Sequence, residues 1–129
     1  MKKIVLILFA ALFLLGCESQ SQPDNITIRK GLSGYMFISK DQVIIDELSS
    51  YFEKLSYGET TDTLDSSSAL HVTFMNNKKV LKEYSVDIDG ILKIGDSETL
   101  YTIISDDFDY TYISDIYQSN NRLNTDVSE

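Results

Sequence analysis

Ala69 to Ile104 reads ALHVTFMNNKKVLKEYSVDIDGILKIGDSETLYTII, and its period of two decides the fold. Leu70, Val72 and Phe74 alternate with His71, Thr73 and Met75, as in a strand with one face in a core. Asn76-Asn77-Lys78-Lys79 supplies a turn. In the strand that follows, Val80, Tyr84, Val86 and Ile88 share one face, with Leu81, Glu83, Ser85 and Asp87 on the other. Asp89-Gly90 predicts a two-residue type I′ hairpin, both of whose central residues need positive φ. Ile91 to Ile94 returns, Gly95-Asp96-Ser97-Glu98 turns again, and Thr99 to Ile104 forms one more strand. Three successive hairpin links imply an antiparallel meander.

Upstream, Ile26 to Arg29 and Gly34 to Ile38 read as two further strands, linked by a turn around Gly31 and Ser33. Ser39 and Gln42 stand at capping-box spacing and announce a helix. Its apolar stripe is Ile44, Ile45, Leu48, Tyr51, Phe52 and Leu55, with Asp46, Ser50 and Glu53 opposite. Tyr57 to Ser68 is mostly polar and is expected to be a mobile loop. Downstream, Ser105-Asp106-Asp107 has the character of a helix start, and Phe108, Tyr112, Ile113 and Ile116 form a stripe. The expected fold class is α+β: one antiparallel sheet of about five to six strands, in the order β-β-α-β-β-β-β-α. Each helix stripe needs an apolar layer to cover, so both helices pack on one face. The other face, with His71, Thr73, Glu83, Ser85 and Asp87, turns toward solvent.

At the start, Lys2 and Lys3 precede an apolar run from Ile4 to Leu15. Those twelve residues would span ~18 Å as a helix, too short for a bilayer core of ~30 Å, and they match a secretory signal. Leu14-Leu15-Gly16-Cys17 resembles a bacterial lipobox, although Leu15 is bulkier than the Ala, Ser or Val usual there. That resemblance implies a diacylglyceryl group on the Cys17 sulfur, cleavage before Cys17 and retention on the extracytoplasmic face of the membrane. Cys17 is the chain's only cysteine, so no disulfide within one chain is available. The order and size of the remainder resemble small uncharacterised Gram-positive lipoproteins of the YhfM type, a resemblance that assigns no catalytic residue. The expected organisation is a signal peptide over 1–16, lipidated Cys17 with a flexible tether over 17–25, the α+β domain over 26–118 and a disordered tail over 119–129.

The chain carries 11 basic and 20 acidic residues. Without Lys2 and Lys3 the balance is 9 against 20, a formal −11. Such a surface repels nucleic-acid phosphates, so the expected partners are the membrane, through the anchor on Cys17, and a basic protein of the envelope. Ser85, Asp87, Asp89, Gly90 and Asp96 fall at positions 1, 3, 5, 6 and 12 of a calcium loop. Position 12 is Asp where a bidentate Glu is usual, and a plain Asp-Gly hairpin accounts for the same residues. Asp87, Asp89 and Asp96 are therefore an alternative metal set, beside a leading reading with no cofactor. Asp106, Asp107 and Asp109 suit the positive end of a helix. His71 is the sole histidine, and no nucleophile elbow, Ser-x-x-Lys or glycine-rich phosphate loop occurs. Tyr110 and Tyr117, seven apart, are expected to emerge on one edge of the last helix as a binding patch. The leading function is a non-catalytic, lipid-anchored interaction module. The alternatives are a cation-responsive envelope protein and an unrecognised hydrolase or hydrolase inhibitor.

Overall fold

A computed structural model describes residues 22–127 of the chain, with side chains as far as residue 119. The signal segment and Cys17 lie outside the described residues. Seven strands and two helices follow in the order β1 (Asn25–Lys30), β2 (Met36–Ser39), α1 (Gln42–Glu53), β3 (Tyr57–Thr60), β4 (Leu70–Asn76), β5 (Lys79–Val86), β6 (Ile91–Ile94), β7 (Leu100–Ile103) and α2 (Tyr110–Val127). All pairings are antiparallel, in one sheet of spatial order β2-β1-β4-β5-β6-β7-β3. The meander from β4 to β7 follows the period-two reading. Among the described residues no helix is long and apolar enough to cross a membrane.

Register places the apolar residues on one face. Ile26 opposes Phe74, Ile28 opposes Val72, Val72 opposes Tyr84, and Val86 opposes Leu92. Helix α1 lays Ile45, Leu48 and Phe52 on that layer, all buried. The Phe52 ring stacks on Tyr84 at 4.3 Å and meets Phe74 edge-on at 6.4 Å. Helix α2 adds Ile113 and Tyr117 to the same core, with Tyr117 edge-on to Tyr35 at 5.1 Å. Burying each of these large side chains stabilises the fold by about 1.5–3 kcal/mol, and no disulfide shares that work.

Several local expectations are corrected. Helix α1 is capped by Asp41, whose Oδ1 accepts from Val43 N at 3.0 Å; Ser39 sits two residues upstream and accepts from Asp41 N. Helix α2 is capped by Asp109, which accepts from Thr111 N, so Asp106 and Asp107 precede the helix. It continues to Val127, past residue 118 where the sequence reading ends the domain. The β5–β6 connection is not a two-residue type I′ turn. Gly90 N donates to Asp87 O and Asp87 N to Ile91 O, leaving a three-residue loop in which Gly90 alone has positive φ, +83°. That is a type I turn closed by a left-handed glycine.

The stretch Tyr57 to Ser68 is not a free loop. Its first four residues are β3, an edge strand paired to β7 from Tyr57↔Ile103 to Thr60↔Leu100. Its last four are fastened by the Asp65 N, Ser68 N and Ser68 Oγ hydrogen bonds. They press so closely on the β1–β2 turn that a Cβ on Gly31 (φ +51°) would stand 2.7 Å from Ser67 O. The N-terminal boundary also moves. Asn76 Nδ2 donates to Gln22 O, Asp24 N to Met75 O and Asn77 N to Asp24 Oδ1. Residues 22–25 are thus docked on the β4–β5 turn and belong to the domain, not to the tether.

Candidate functional site

Asp87 is 1% exposed although it sits at a hairpin. A carboxylate is tolerated there only if its lone pairs are filled. Its Oδ1 accepts from Asp89 N and Ile91 N, both at 2.9 Å, and its Oδ2 accepts from Asp65 N at 2.8 Å. One side chain thus closes the hairpin and pins the loop that leads into β4. Ser68 reinforces the junction from the other side, accepting from Ile88 N through Oγ and from the Tyr110 hydroxyl through its carbonyl at 2.7 Å.

The calcium spacing does not become a calcium geometry. Asp89 lies at one end of β6 and Asp96 past the other, and the four residues between alone rise roughly 10 Å at ~3.3 Å each. Ligands of one calcium ion sit at ~2.3–2.6 Å from it. The structure therefore does not bring Asp87, Asp89 and Asp96 together, and Asp87 already accepts from three backbone amides. Among the described residues no group of three or more His, Cys, Asp or Glu is arranged to hold a metal.

The tyrosine patch is corrected too. Tyr117 is buried, with its hydroxyl directed at Ser33 Oγ and Tyr35 O, and Tyr110 is half-buried and bonded to Ser68 O. Burial raises the Tyr110 phenol, helped by Asp65 and Asp87. Both residues hold the helix to the sheet end. Tyr110 and Tyr117 do share one helix, but the sequence does not say that Tyr35 and Ser33 turn up beneath Tyr117.

The uncovered sheet face carries a cross-strand row in which Arg29 opposes His71, His71 opposes Ser85, and Ser85 opposes Lys93. His71 Nδ1 and Ser85 Oγ are 2.7 Å apart. Burial first, and Arg29 second, hold the imidazole below its ordinary value, against the pull of Glu83. The pair has the atoms of a nucleophile and a base. However, Ser85 is mid-strand, 7% exposed and paired on both sides, so no free backbone N–H stands beside it as an oxyanion donor. The row reads as a hydrogen-bonded surface.

What the topology does gather is charge, at the two ends of the strands. Asp89 on the β5–β6 hairpin, Asp65 beside it, and Asp106, Asp107 and Asp109 ahead of α2 lie at one end, all exposed. Phe108, among them, reaches within 4 Å of where a Gly90 Cβ would stand. Lys30 and Lys54 are the basic residues near this end. Hydrogen bonds from Ser67 hold the Asp65 carboxyl below its usual range. At the opposite end, beside the β4–β5 turn, stand Lys40, Lys78 and Lys79, also exposed. Between the two ends β4 runs seven residues, roughly 20 Å at ~3.3 Å per residue. No protein-family model matches this chain, and neither a characterised protein nor a solved structure matches it.

Proposed function

We propose that this protein is a lipid-anchored module of the cell envelope, held on the extracytoplasmic face through Cys17, that acts by binding and not by catalysis. The observation that carries the reading is the polarity of the domain. The chain enters the fold at Gln22, beside Asn76, so an anchor at Cys17 leaves the acidic end pointing away from the membrane. Asp65, Asp89, Asp106, Asp107 and Asp109 would there meet a basic partner in the envelope, since like-signed surfaces are repelled and complementary ones steered in.

Two measurements test this. Intact mass of the membrane fraction is expected to show a chain beginning at Cys17 with acyl mass, and Cys17→Ala is expected to be released or left unprocessed. Crosslinking in intact envelopes is expected to capture a basic protein with the wild type and far less with Asp89→Asn/Asp106→Asn/Asp107→Asn. A mature chain without acyl mass refutes the anchorage. Equal capture by both forms refutes the acidic contact.

A further inference from the structure

We infer that the end of the domain where the chain enters, bearing Lys40, Lys78 and Lys79, is a docking surface for anionic lipid head groups. The inference rests on the anchorage through Cys17 and adds an orientation to it.

The first support is reach. Gln22 is fastened to Asn76, and Asp24 to Asn77. Four residues lie between Cys17 and Gln22, and the five chain steps extend at most ~18 Å. The β4–β5 turn cannot then stand farther than that from the plane of the anchor. The second support is charge. Lys78 and Lys79 occupy the tip of the β4–β5 hairpin, and Lys40 follows β2 next to Asp24 and Asn77. Three acidic residues of this end are turned to the domain's own donors: Asp24 accepts from Asn77 N and Asn25 Nδ2, Asp41 from Val43 N and Asp46 from Gln42 Nε2. The turn carrying Asp96 and Glu98 is held on the flank of β5, where Gly95 N bonds Glu83 O and Asp96 lines a shallow groove with Val80, one residue behind Lys79 at the hairpin tip. Lys78 and Lys79 therefore lead at this end, and a separation anywhere below that ~18 Å limit lets them come within the ~8 Å over which charge is felt at physiological salt.

The third support is apolar. Val43 on the first turn of α1 and Val80 at the start of β5 are 63% and 51% exposed, and both flank the lysines. Cations beside small exposed aliphatic groups match a surface that is anionic at the head groups and apolar beneath. The acidic pole works in the same sense, since an anionic bilayer repels it to the far side. The formal −11 of the mature chain forbids recruitment by charge alone. The anchor supplies proximity, and the asymmetry then selects which end lies down.

The test uses the lipidated full-length protein, purified from membranes and placed in phosphatidylcholine vesicles with or without phosphatidylglycerol. The acylated Cys17 leaves no free thiol, so Gln42→Cys reports the lysine end and Ile88→Cys the hairpin end, each with a fluorophore quenched by a head-group-bound quencher. With phosphatidylglycerol the label at position 42 is expected to be quenched and that at position 88 much less. Lys40→Gln/Lys78→Gln/Lys79→Gln is expected to lower the docked population at least ~5-fold, the equivalent of about 1 kcal/mol for a lysine at such a surface. High salt is expected to do the same. Quenching at position 42 that ignores phosphatidylglycerol or the triple substitution overturns the inference, as does stronger quenching at position 88. The mass spectrum, read first, separates the two claims. A chain without acyl mass overturns anchorage and orientation together, while an acylated chain with unresponsive labels overturns only the docking surface.

Discussion

Replacing Asp87 by Ala removes the acceptor for three backbone amides at once. Ile91 N is buried and Asp65 N part-buried, so neither recovers a full bond to water. A buried donor left without a partner costs ~1–3 kcal/mol, and bonds to a charged acceptor are the stronger kind. Asp89 N is likewise part-buried. The expected loss is about 3–5 kcal/mol, a large share of the ~5–15 kcal/mol available to a domain of this size. Asp87→Asn separates the contributions. Its remaining oxygen can still serve Asp89 N and Ile91 N, but its amide nitrogen then faces Asp65 N, donor against donor. About 1–3 kcal/mol should be lost, from that single contact. Urea melts of the wild type and both variants give these values, with and without calcium. If Asp87→Ala costs under ~1 kcal/mol, the carboxylate is not the fastening described here. If calcium raises the wild-type midpoint and Asp87→Asn abolishes the rise, the carboxylate is a metal ligand after all.

Three further outcomes follow from the packing. Leu48, fully buried under α1, should cost about 2–5 kcal/mol as Leu48→Ala, whereas exposed Glu53→Ala should stay within about 0.5 kcal/mol; equal midpoints in urea would mean the helix face is misplaced. The Tyr35 hydroxyl is buried without a hydrogen-bond partner among the described residues, so Tyr35→Phe should leave thermal stability unchanged or raise it, and a drop of more than ~1 kcal/mol would reveal a partner. His71 is depressed in the folded state, mainly by burial, from an ordinary value of 6.5. The unfolded chain therefore takes up the proton first as pH falls: the contribution is intact above that value and is lost through the window just below it. His71→Gln should flatten that part of the stability-against-pH curve, and an unchanged slope would refute it.

The parts of this fold that were legible in the sequence are those where burial imposes a period. Leu70-Val72-Phe74 and Tyr84-Val86 alternate because one sheet face is dry, and Ile45-Leu48-Phe52 repeat because one helix side is. The β3 strand left no such mark. Tyr57-Gly58-Glu59-Thr60 lies on the sheet edge with no fully buried residue, so its identity comes from the neighbour it pairs with and not from its own pattern. The loop type at Gly90 was hidden for a related reason. An Asp-Gly pair suits a type I′ turn as well as a type I turn with a left-handed glycine, and the choice fell to Asp87, whose carboxylate gathers the amides of Asp89 and Ile91. Asp87 itself could not be singled out. Its partner Asp65 is 22 residues away, at the far end of a segment that offered no reason to look there.

The order of the sheet bears on how an anchor at Cys17 would act on the domain. Strand β1 follows directly on residues 22–24, yet it is not an edge: it pairs with β2 through four residue pairs and with β4 through six. Ile26 and Ile28 on it are wholly buried. An edge strand at this point could peel away one pair at a time, since only one ladder would hold it. Here displacement of β1 breaks two ladders and opens the core beneath Ile26 and Ile28 in the same step. The Asp24–Asn77 and Gln22–Asn76 bonds extend that hold beyond the strand. An anchor at Cys17 would thus act on a strand that cannot be drawn out without opening the core, and would hold this end of the domain as a unit. On the orientation proposed above, it would then be the difference in charge between the two ends of the sheet, acting on a domain held whole, that decides which end turns to the surface.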